Sequence, residues 1–323
     1  MAHSEHHLTF GPVPSRRLGQ SMGINNVTTK SCSYTCVYCQ VGETTEKFIE
    51  PRKFFTPQQI LDAVTARLQQ AEDAGINVDY LTFVPDGEPT LDSTLGESIQ
   101  ALRELNIPIA VISNATLLSR CEVRSALFAA DLVSLKVDSV DEAIWRRINL
   151  PHRNLQLDTI LQGIRQFAAE YAGQLITDTM LISGLNDNEQ SLCGTADYIA
   201  SISPDTAYLA VPTRPTTVKG IEGVDELGLL MAHQVFSDRI EKVELLAGPE
   251  TGEFAHSGNA RDDLLAITAV HPMREDGVRE WLVKDEASWT LVEQMIAGGE
   301  IKMLEYGGSN FYLRPVRCSR HHI

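Results

Sequence analysis

Three cysteines crowd into eight residues, Cys32-Ser-Tyr-Thr-Cys36-Val-Tyr-Cys39. Thiolates are soft donors that hold iron–sulfur clusters and zinc. At C-x3-C-x2-C spacing, one short loop wraps three corners of an iron–sulfur cube. No fourth cysteine lies nearby, so the fourth iron is left open to a substrate or cofactor. Zinc is the other reading. Zinc motifs usually pair C-x2-C with a second such pair, and none is present. His6, His7 or Cys121 would have to complete the set. A disulfide framework belongs to short, Cys-dense secreted chains. This chain has six cysteines in 323 residues. Cys121 and Cys193 fall in helical patterns and are expected to be buried as small apolar residues. Cys318, with His321 and His322, falls in an expected frayed tail. The first seven residues, three of them histidine, are expected to be disordered.

Other residues gather where strand-like runs end. Gly87-Glu88-Pro89 follows the run at 80–84, and Ser113-Asn114-Ala115-Thr116 follows the one at 108–113. The run at 131–138 alternates with period two. Val133, Leu135 and Val137 share one face, and Ser134, Lys136 and Asp138 share the other. A strand covered on both faces is normally apolar on both. Lysine and aspartate are rarely buried unless paired. That polar face therefore points to a site, or to a structural Lys136–Asp138 pair. Arg214, in Thr213-Arg-Pro215 after the run at 206–211, has a fork that suits carboxylate or phosphate. Arg16 and Arg17 are either an anion site near the cysteines or a solvated face.

These residues need a scaffold. Thr56-Pro57 reads as an N-cap followed by proline at the first helical position. Ile60, Val64 and Leu68 then recur at helical spacing, and Gly75 marks the stop. Residues 1–20 read as irregular. Strands are expected at 21–26, 80–84, 108–113, 131–138, 175–182 and 206–211. Helices are expected between them, at 119–128, 141–147 and about 155–171, and on the stripes Leu95/Ile99/Leu102 and Leu192/Ala196/Ile199. Six strand–helix units fall short of the eight in a full barrel. The expected fold is α/β, a partial (β/α)6 barrel over 1–250, with its site at the strand C-termini. After linker-like stretches at 248–252 and 257–259, helices are expected near 261–269, 275–283 and 286–297. Two strands, Ile301–Tyr306 and Asn310–Leu313, meet through Gly307-Gly308. This describes a small winged-helix-like domain over 251–323. From Ala255 onward it holds eight basic and ten acidic residues. A DNA-binding winged helix is normally basic, so this one is expected to pack on the barrel or hold a partner.

Composition agrees with a globular chain: 43% hydrophobic and 22% charged. The formal net charge of −16 argues against a general nucleic-acid coat. No apolar run approaches the ~18 residues of a membrane span, and the polar start carries no apolar leader core. A cytoplasmic location without membrane contact is expected.

The cysteine spacing, with Tyr38 before the last cysteine, resembles the signature of the radical S-adenosylmethionine superfamily. The likeness runs from about Gly11 to Pro315. It includes Gly11-Pro-Val-Pro-Ser-Arg-Arg-Leu-Gly19, Gly23-Ile-Asn-Asn26 and Cys36-Val-Tyr-Cys-Gln40. Those stretches resemble one group in the superfamily, associated by analogy with enzymes of tRNA wybutosine synthesis. The resemblance implies a 4Fe–4S cluster on Cys32, Cys36 and Cys39 that binds S-adenosylmethionine at the open iron. The reduced cluster would cleave it to methionine and a 5′-deoxyadenosyl radical, which takes hydrogen from a substrate. Gly87 and Glu88 match the family's Gly-Gly-Glu element, which binds the cofactor's amino group. Asp86 stands where many members have glycine. Ser113 and Asn114 match an Asn-Gly-Thr turn, with Ala115 in place of its glycine. Lys136 and Asp138 lie at the strand end that contacts the cofactor's ribose and carboxylate, and they are the catalytic candidates. Tyr38 helps seat the cofactor. Ile182-Ser-Gly184-Leu-Asn186-Asp187 matches the element that packs near the adenine.

The leading expectation is a radical S-adenosylmethionine enzyme. Its substrate would be a tRNA, a protein or a small molecule, and its electron donor a flavodoxin or ferredoxin. Two other classes stay open at this point. One is an iron–sulfur redox sensor with winged-helix output, and the other is a zinc-stabilised binding scaffold.

Overall fold

The computed structural model describes residues 8–42, 44, 46–246, 259–270, 272–306 and 308–315. An N-terminal hairpin, β1 (Thr9–Ser15) and β2 (Gly19–Ile24), opens the chain. The cysteine loop follows and carries a two-residue bridge between β3 (Ser31–Cys32) and β4 (Glu46–Lys47). The regular alternation then begins with α1 (Pro57–Asp73), β5 (Tyr80–Phe83), α2 (Leu95–Leu102), β6 (Ile109–Ser113) and α3 (Cys121–Leu127). It continues through β7 (Leu132–Lys136), α4 (Glu142–Asn149), α5 (Leu157–Glu170), β8 (Gln174–Met180) and α6 (Glu189–Ser201). It ends with β9 (Thr206–Ala210), α7 (Glu226–Ser237) and β10 (Val243–Leu246). The sheet order is β1-β2-β5-β6-β7-β8-β9-β10. Every neighbouring pair is parallel except β1 with β2. This is the expected partial barrel of strand–helix units.

Local chemistry sets the helix starts. Thr56 Oγ1 accepts from Gln59 N at 3.1 Å, and Gln59 Oε1 accepts from Thr56 N at 2.9 Å, a complete capping box. Asp141, Asn188 and Asp225 cap α4, α6 and α7 through their side chains. The main core lies between sheet and helices, with Leu81, Phe83, Val111, Val133, Ile164 and Phe167 among its members. A separate apolar cluster lines the other face of the sheet. There Leu18, Val37 and Tyr38 come from loops to meet Leu132, Ile176 and Tyr208.

Two elements differ from the sequence reading. Residues 9–15 form a strand where an irregular segment was expected. Pro12 and Pro14 disfavour a central strand, but β1 is an edge and has a register shift between Phe10 and Val13. The parallel set also gains a seventh strand. β10 is only four residues long and sits at the opposite edge. Its crossover helix α7 shows little amphipathic signal, because Leu227, Leu230 and Met231 face outward.

After residue 259 come α8 (Ala260–Val270), β11 (Met273–Arg274), α9 (Glu275–Lys284), α10 (Trp289–Ala297), β12 (Lys302–Tyr306) and β13 (Ser309–Leu313). The strands form an antiparallel sheet in the order β11-β13-β12. Its core of Leu264, Ile267, Trp281, Met295 and Tyr312 also takes in Phe10 and Val13 of β1. Arg67 of α1 adds a polar tie: Nη2 lies 3.1 Å from Asp263, and Nε donates to Gly11 O at 2.6 Å. These elements therefore pack on the barrel's N-terminal edge. The expected N-terminal tail, the expected linker apart from Asn259, the tail carrying Cys318, His321 and His322, and the Gly307 turn position lie outside the described residues. Among the described residues, no helix is long and apolar enough to cross a membrane.

Gly163 in α5 faces the turn after β6. A Cβ there would lie 2.4 Å from Ser119 N and 2.6 Å from Leu118 C. Alanine gains about 1 kcal/mol of helix propensity, while a Cβ this close to two backbone atoms costs ~2–3 kcal/mol, the upper part of the overpacking range. Gly163→Ala is therefore expected to lower stability by ~1–2 kcal/mol in urea unfolding. A neutral or stabilised variant would contradict this packing.

Candidate functional site

The cysteine loop is fastened at several points along its backbone. Thr35 N and Val37 N donate to Asn149 O and Ile148 O at the end of α4, at 3.0 and 2.9 Å. Lys30 N donates to Asp86 O, and Glu88 N donates to Ser31 O, both at 2.9 Å. Thr217 N and Oγ1 both donate to Cys39 O, at 3.0 and 2.6 Å. Gly87 is required by this docking, since a Cβ there would lie 2.1 Å from Ser31 O.

Cys32, Cys36 and Cys39 are free thiols, each half-buried. Two of the sulfurs accept side-chain N–H groups. Asn114 Nδ2 lies 3.6 Å from Cys32 Sγ, and Asn149 Nδ2 lies 3.4 Å from Cys36 Sγ. Burial pushes the Cys36 thiol up to about 12, and neighbouring Asp138 adds to the shift. Burial raises Cys32 further, with Glu88 adding. Metal binding must displace those protons. Among the described residues, no three His, Cys, Asp or Glu side chains converge on one metal-ion position. Three soft donors spread along one loop, two of them receiving N–H bonds, fit a multi-iron cluster whose corners bind separately.

Glu88 sits beside the loop, 1% exposed. Its Oε1 accepts from Thr90 N at 3.1 Å, Thr90 Oγ1 at 2.6 Å and Ser113 Oγ at 2.7 Å. Its Oε2 accepts from Asn114 N at 2.7 Å. Burial pushes the carboxyl above its usual range against the pull of these hydrogen bonds. Asn114 then donates from Nδ2 to Ser33 Oγ at 2.9 Å, and its Oδ1 accepts from Thr116. Ala115, at the position of the family's glycine, holds φ of +65°. An L-residue there carries strain of about 1–2 kcal/mol.

A charged row crosses the sheet where β7 and β8 pair Lys136 with Asp178. Lys136 Nζ lies 2.6 Å from Asp178 Oδ1 and 3.9 Å from Asp138. Arg17 Nη1 lies 2.8 Å from Asp178 Oδ2. Burial alone would raise the Asp178 carboxyl, but Lys136 and Arg17 outweigh it and hold it below its ordinary value. Burial would likewise lower Lys136, but Asp178 and Asp138 reverse the shift. Asp138 accepts from Met180 N at 2.9 Å, from Asn149 Nδ2 at 2.7 Å and from the Tyr38 hydroxyl. Burial, reinforced by Asp138, raises Tyr38 well above its usual range, so it remains a phenol that donates. Asn186 ties the ends of β7 and β8 by donating to Asp138 O and Met180 O, both at 2.8 Å.

The structure thus gathers Cys32, Cys36, Tyr38, Gly87, Glu88, Ser113, Asn114, Lys136 and Asp138 into one bonded neighbourhood. Arg214 Nη1 donates to Gln40 Oε1 at 3.1 Å, next to Cys39. Cys121 differs from expectation. It begins α3 and is exposed, and its thiol donates to Glu122 Oε2 at 3.4 Å. Cys193 is half-buried rather than fully buried. The sequence reading did not single out Asp178 or Asn149. The signal for Asp178 was present as Thr177-Asp178-Thr179, a polar run between Leu175-Ile176 and Met180 in a buried strand.

A model of the radical SAM superfamily matches residues 26–195. The chain belongs to the radical S-adenosylmethionine superfamily. Over 314 residues it is 44% identical to UPF0026 protein MJ1312 of Methanocaldococcus jannaschii, covering 96% of this chain and 97% of that one. Its fold is similar to the structure of TYW1 with a lysine-pyruvate adduct bound, at TM-score 0.54 and 16% identity. That match covers 68% of this chain and 74% of that one. It is also similar to Streptococcus suis SuiB bound to S-adenosylmethionine, at TM-score 0.51 and 16% identity over 68% of this chain and 49% of that one. Radical SAM enzymes use a 4Fe–4S cluster and S-adenosylmethionine, and these are the cofactors of this superfamily member.

The ion-pair row yields a pH-dependent prediction. Asp178→Asn leaves two mostly buried cations without their shared carboxylate, at an expected cost of ~2–3 kcal/mol at pH 7. Because the folded carboxyl lies below its ordinary 3.8, this stabilisation is complete above that value. It is lost as pH falls through the depressed folded value. The urea-midpoint difference between wild type and variant should therefore shrink in acid. A difference independent of pH would contradict the ion-pair account.

Proposed function

We propose that Cys32, Cys36 and Cys39 hold the 4Fe–4S cluster and that the loop ends of β5, β6 and β7 seat S-adenosylmethionine against it. The observation that carries this reading is the junction at Asn114. One side chain bonds a cysteine sulfur, and the same residue's backbone bonds the buried Glu88 carboxylate. A reduced 4Fe–4S cluster held by these three thiolates would supply reductive cleavage of S-adenosylmethionine and, through it, removal of a hydrogen atom from the substrate.

This chain's residues bind, orient and exclude water. Among the described residues Glu88 Oε2 has one protein donor, leaving acceptor capacity for the cofactor's ammonium. Ser113 fixes the Glu88 rotamer from the neighbouring strand. Lys136, held by Asp178, places a cation at the end of β7 for the cofactor's carboxylate, and Asp138 holds the Tyr38 phenol beside the loop. Buried Tyr34 and Trp145, joined by a 2.7 Å hydrogen bond, keep water from the loop's inner side. The electron donor is of the flavodoxin or ferredoxin class. The substrate, a tRNA, a protein or a small molecule, enters at the strand C-termini. The winged-helix-like elements after residue 259 form a brace on β1, supported by the core they share with Phe10 and Val13.

Anaerobic reconstitution with iron and sulfide, followed by dithionite and S-adenosylmethionine, tests the assignment. Wild type is expected to form 5′-deoxyadenosine, detected by mass spectrometry. Cys32→Ala/Cys36→Ala/Cys39→Ala is expected to bind no cluster and form no product. A triple variant that still assembled the cluster would overturn the assignment.

A further inference from the structure

Lys30 lies two residues before the first cysteine and is only 3% exposed. Lysine is almost never buried to this degree without a partner. Its ammonium nitrogen is out of solvent and makes no hydrogen bond among the described residues. The backbone holds it there deliberately. Lys30 has φ of +65°, a left-handed conformation that a side chain disfavours, and its N–H is tied to Asp86 O at 2.9 Å. Burial pulls the ammonium below its ordinary value, and Cys39, Asp86 and Cys32 oppose that shift without overcoming it. Two of the three belong to the cysteine set. An isolated buried cation is strongly disfavoured unless negative charge compensates it. The Asp86 carboxylate supplies one such charge. Three thiolates around a cube supply the rest only when the cluster is in place. The orphaned ammonium is thus poised for a group that the amino acids alone do not provide.

We propose that Lys30 is a positioning residue for the cluster, and that its buried ammonium raises the cluster's reduction potential. This rests on the reading that Cys32, Cys36 and Cys39 hold a 4Fe–4S cluster. Reduction adds one electron from an external donor, taking the cube from its 2+ to its 1+ core with no bond broken. A nearby fixed cation stabilises the more negative, reduced form, and hydrogen bonding to sulfur acts in the same direction. The effect is favoured by the site's burial, because a low local dielectric weakens screening.

The test is a potentiometric titration of the full-length reconstituted chain, followed by electron paramagnetic resonance of the reduced cluster. Wild type, Lys30→Met and Lys30→Arg are compared at equal iron and sulfide content. Lys30→Met is expected to lower the reduced-to-oxidised ratio at fixed potential about tenfold, or ~59 mV for a one-electron couple. Lys30→Arg, which keeps the charge, is expected to stay nearer wild type than Lys30→Met. Equal potentials for wild type and Lys30→Met, with clusters intact, overturn the proposal and leave the cysteine assignment standing. A wild type that binds no iron and sulfide removes the cysteine assignment itself. Should Lys30→Met fail to assemble a cluster, Lys30→Gln is titrated in its place and should show the same fall. Failure of both neutral variants to assemble, with Lys30→Arg intact, overturns a potential-setting role in favour of a purely structural one.

Discussion

A carboxylate that cannot reach water holds the site together. Glu88 is buried with four hydrogen bonds from Thr90, Ser113 and Asn114, residues on two different strand-end loops. An unsatisfied buried charge is costly, so the carboxylate fixes where those loops end. Asn114 passes that constraint to Cys32 and Ser33, and Glu88 N–H passes it to Ser31. The cysteine loop is otherwise a long excursion between β2 and α1 with little regular structure. Its shape is inherited from the strand ends beneath it. Gly87 belongs to the same constraint, because any side chain there would collide with the Ser31 carbonyl.

The second constraint is electrostatic. Asp178, Lys136 and Arg17 form a compact row on the sheet, and Asp138 continues it toward Tyr38, Asn149 and Cys36. Buried ion pairs contribute little net stability compared with an apolar core, so their presence is better explained by geometry than by strength. They hold donors and acceptors at fixed places around the loop before any ligand arrives. Preorganisation of this kind is what the protein contributes when a cofactor carries the difficult chemistry.

The legible parts of the molecule are those in which the signal is local. The cysteine motif spans eight residues, Asn114 directly follows β6, and Glu88 lies in the short loop after β5. Lys136 and Asp138 stand out because polar residues alternate on a strand that ought to be apolar. The strand–helix rhythm and the Thr56 capping box are local as well. What stayed hidden depends on partners far apart in the chain. Arg17 meets Asp178 across 161 residues, and Asn149 meets Cys36 across 113. No spacing rule links them. β1 was obscured by prolines that only an edge strand tolerates, and β10 by its four-residue length. Cys121 shows the converse error. A helical pattern placed it correctly on α3, but its position at the exposed start of that helix decided its burial.

The central claim is that the three-cysteine loop holds a cluster with one iron open to S-adenosylmethionine. Low-temperature electron paramagnetic resonance of the reduced, reconstituted wild type, before and after adding S-adenosylmethionine, tests it most directly. The account predicts a reduced 4Fe–4S signal whose shape changes on addition, because the cofactor ligates the open iron. A chain that takes up zinc without sulfide would contradict it, as would a cluster signal unmoved by saturating S-adenosylmethionine.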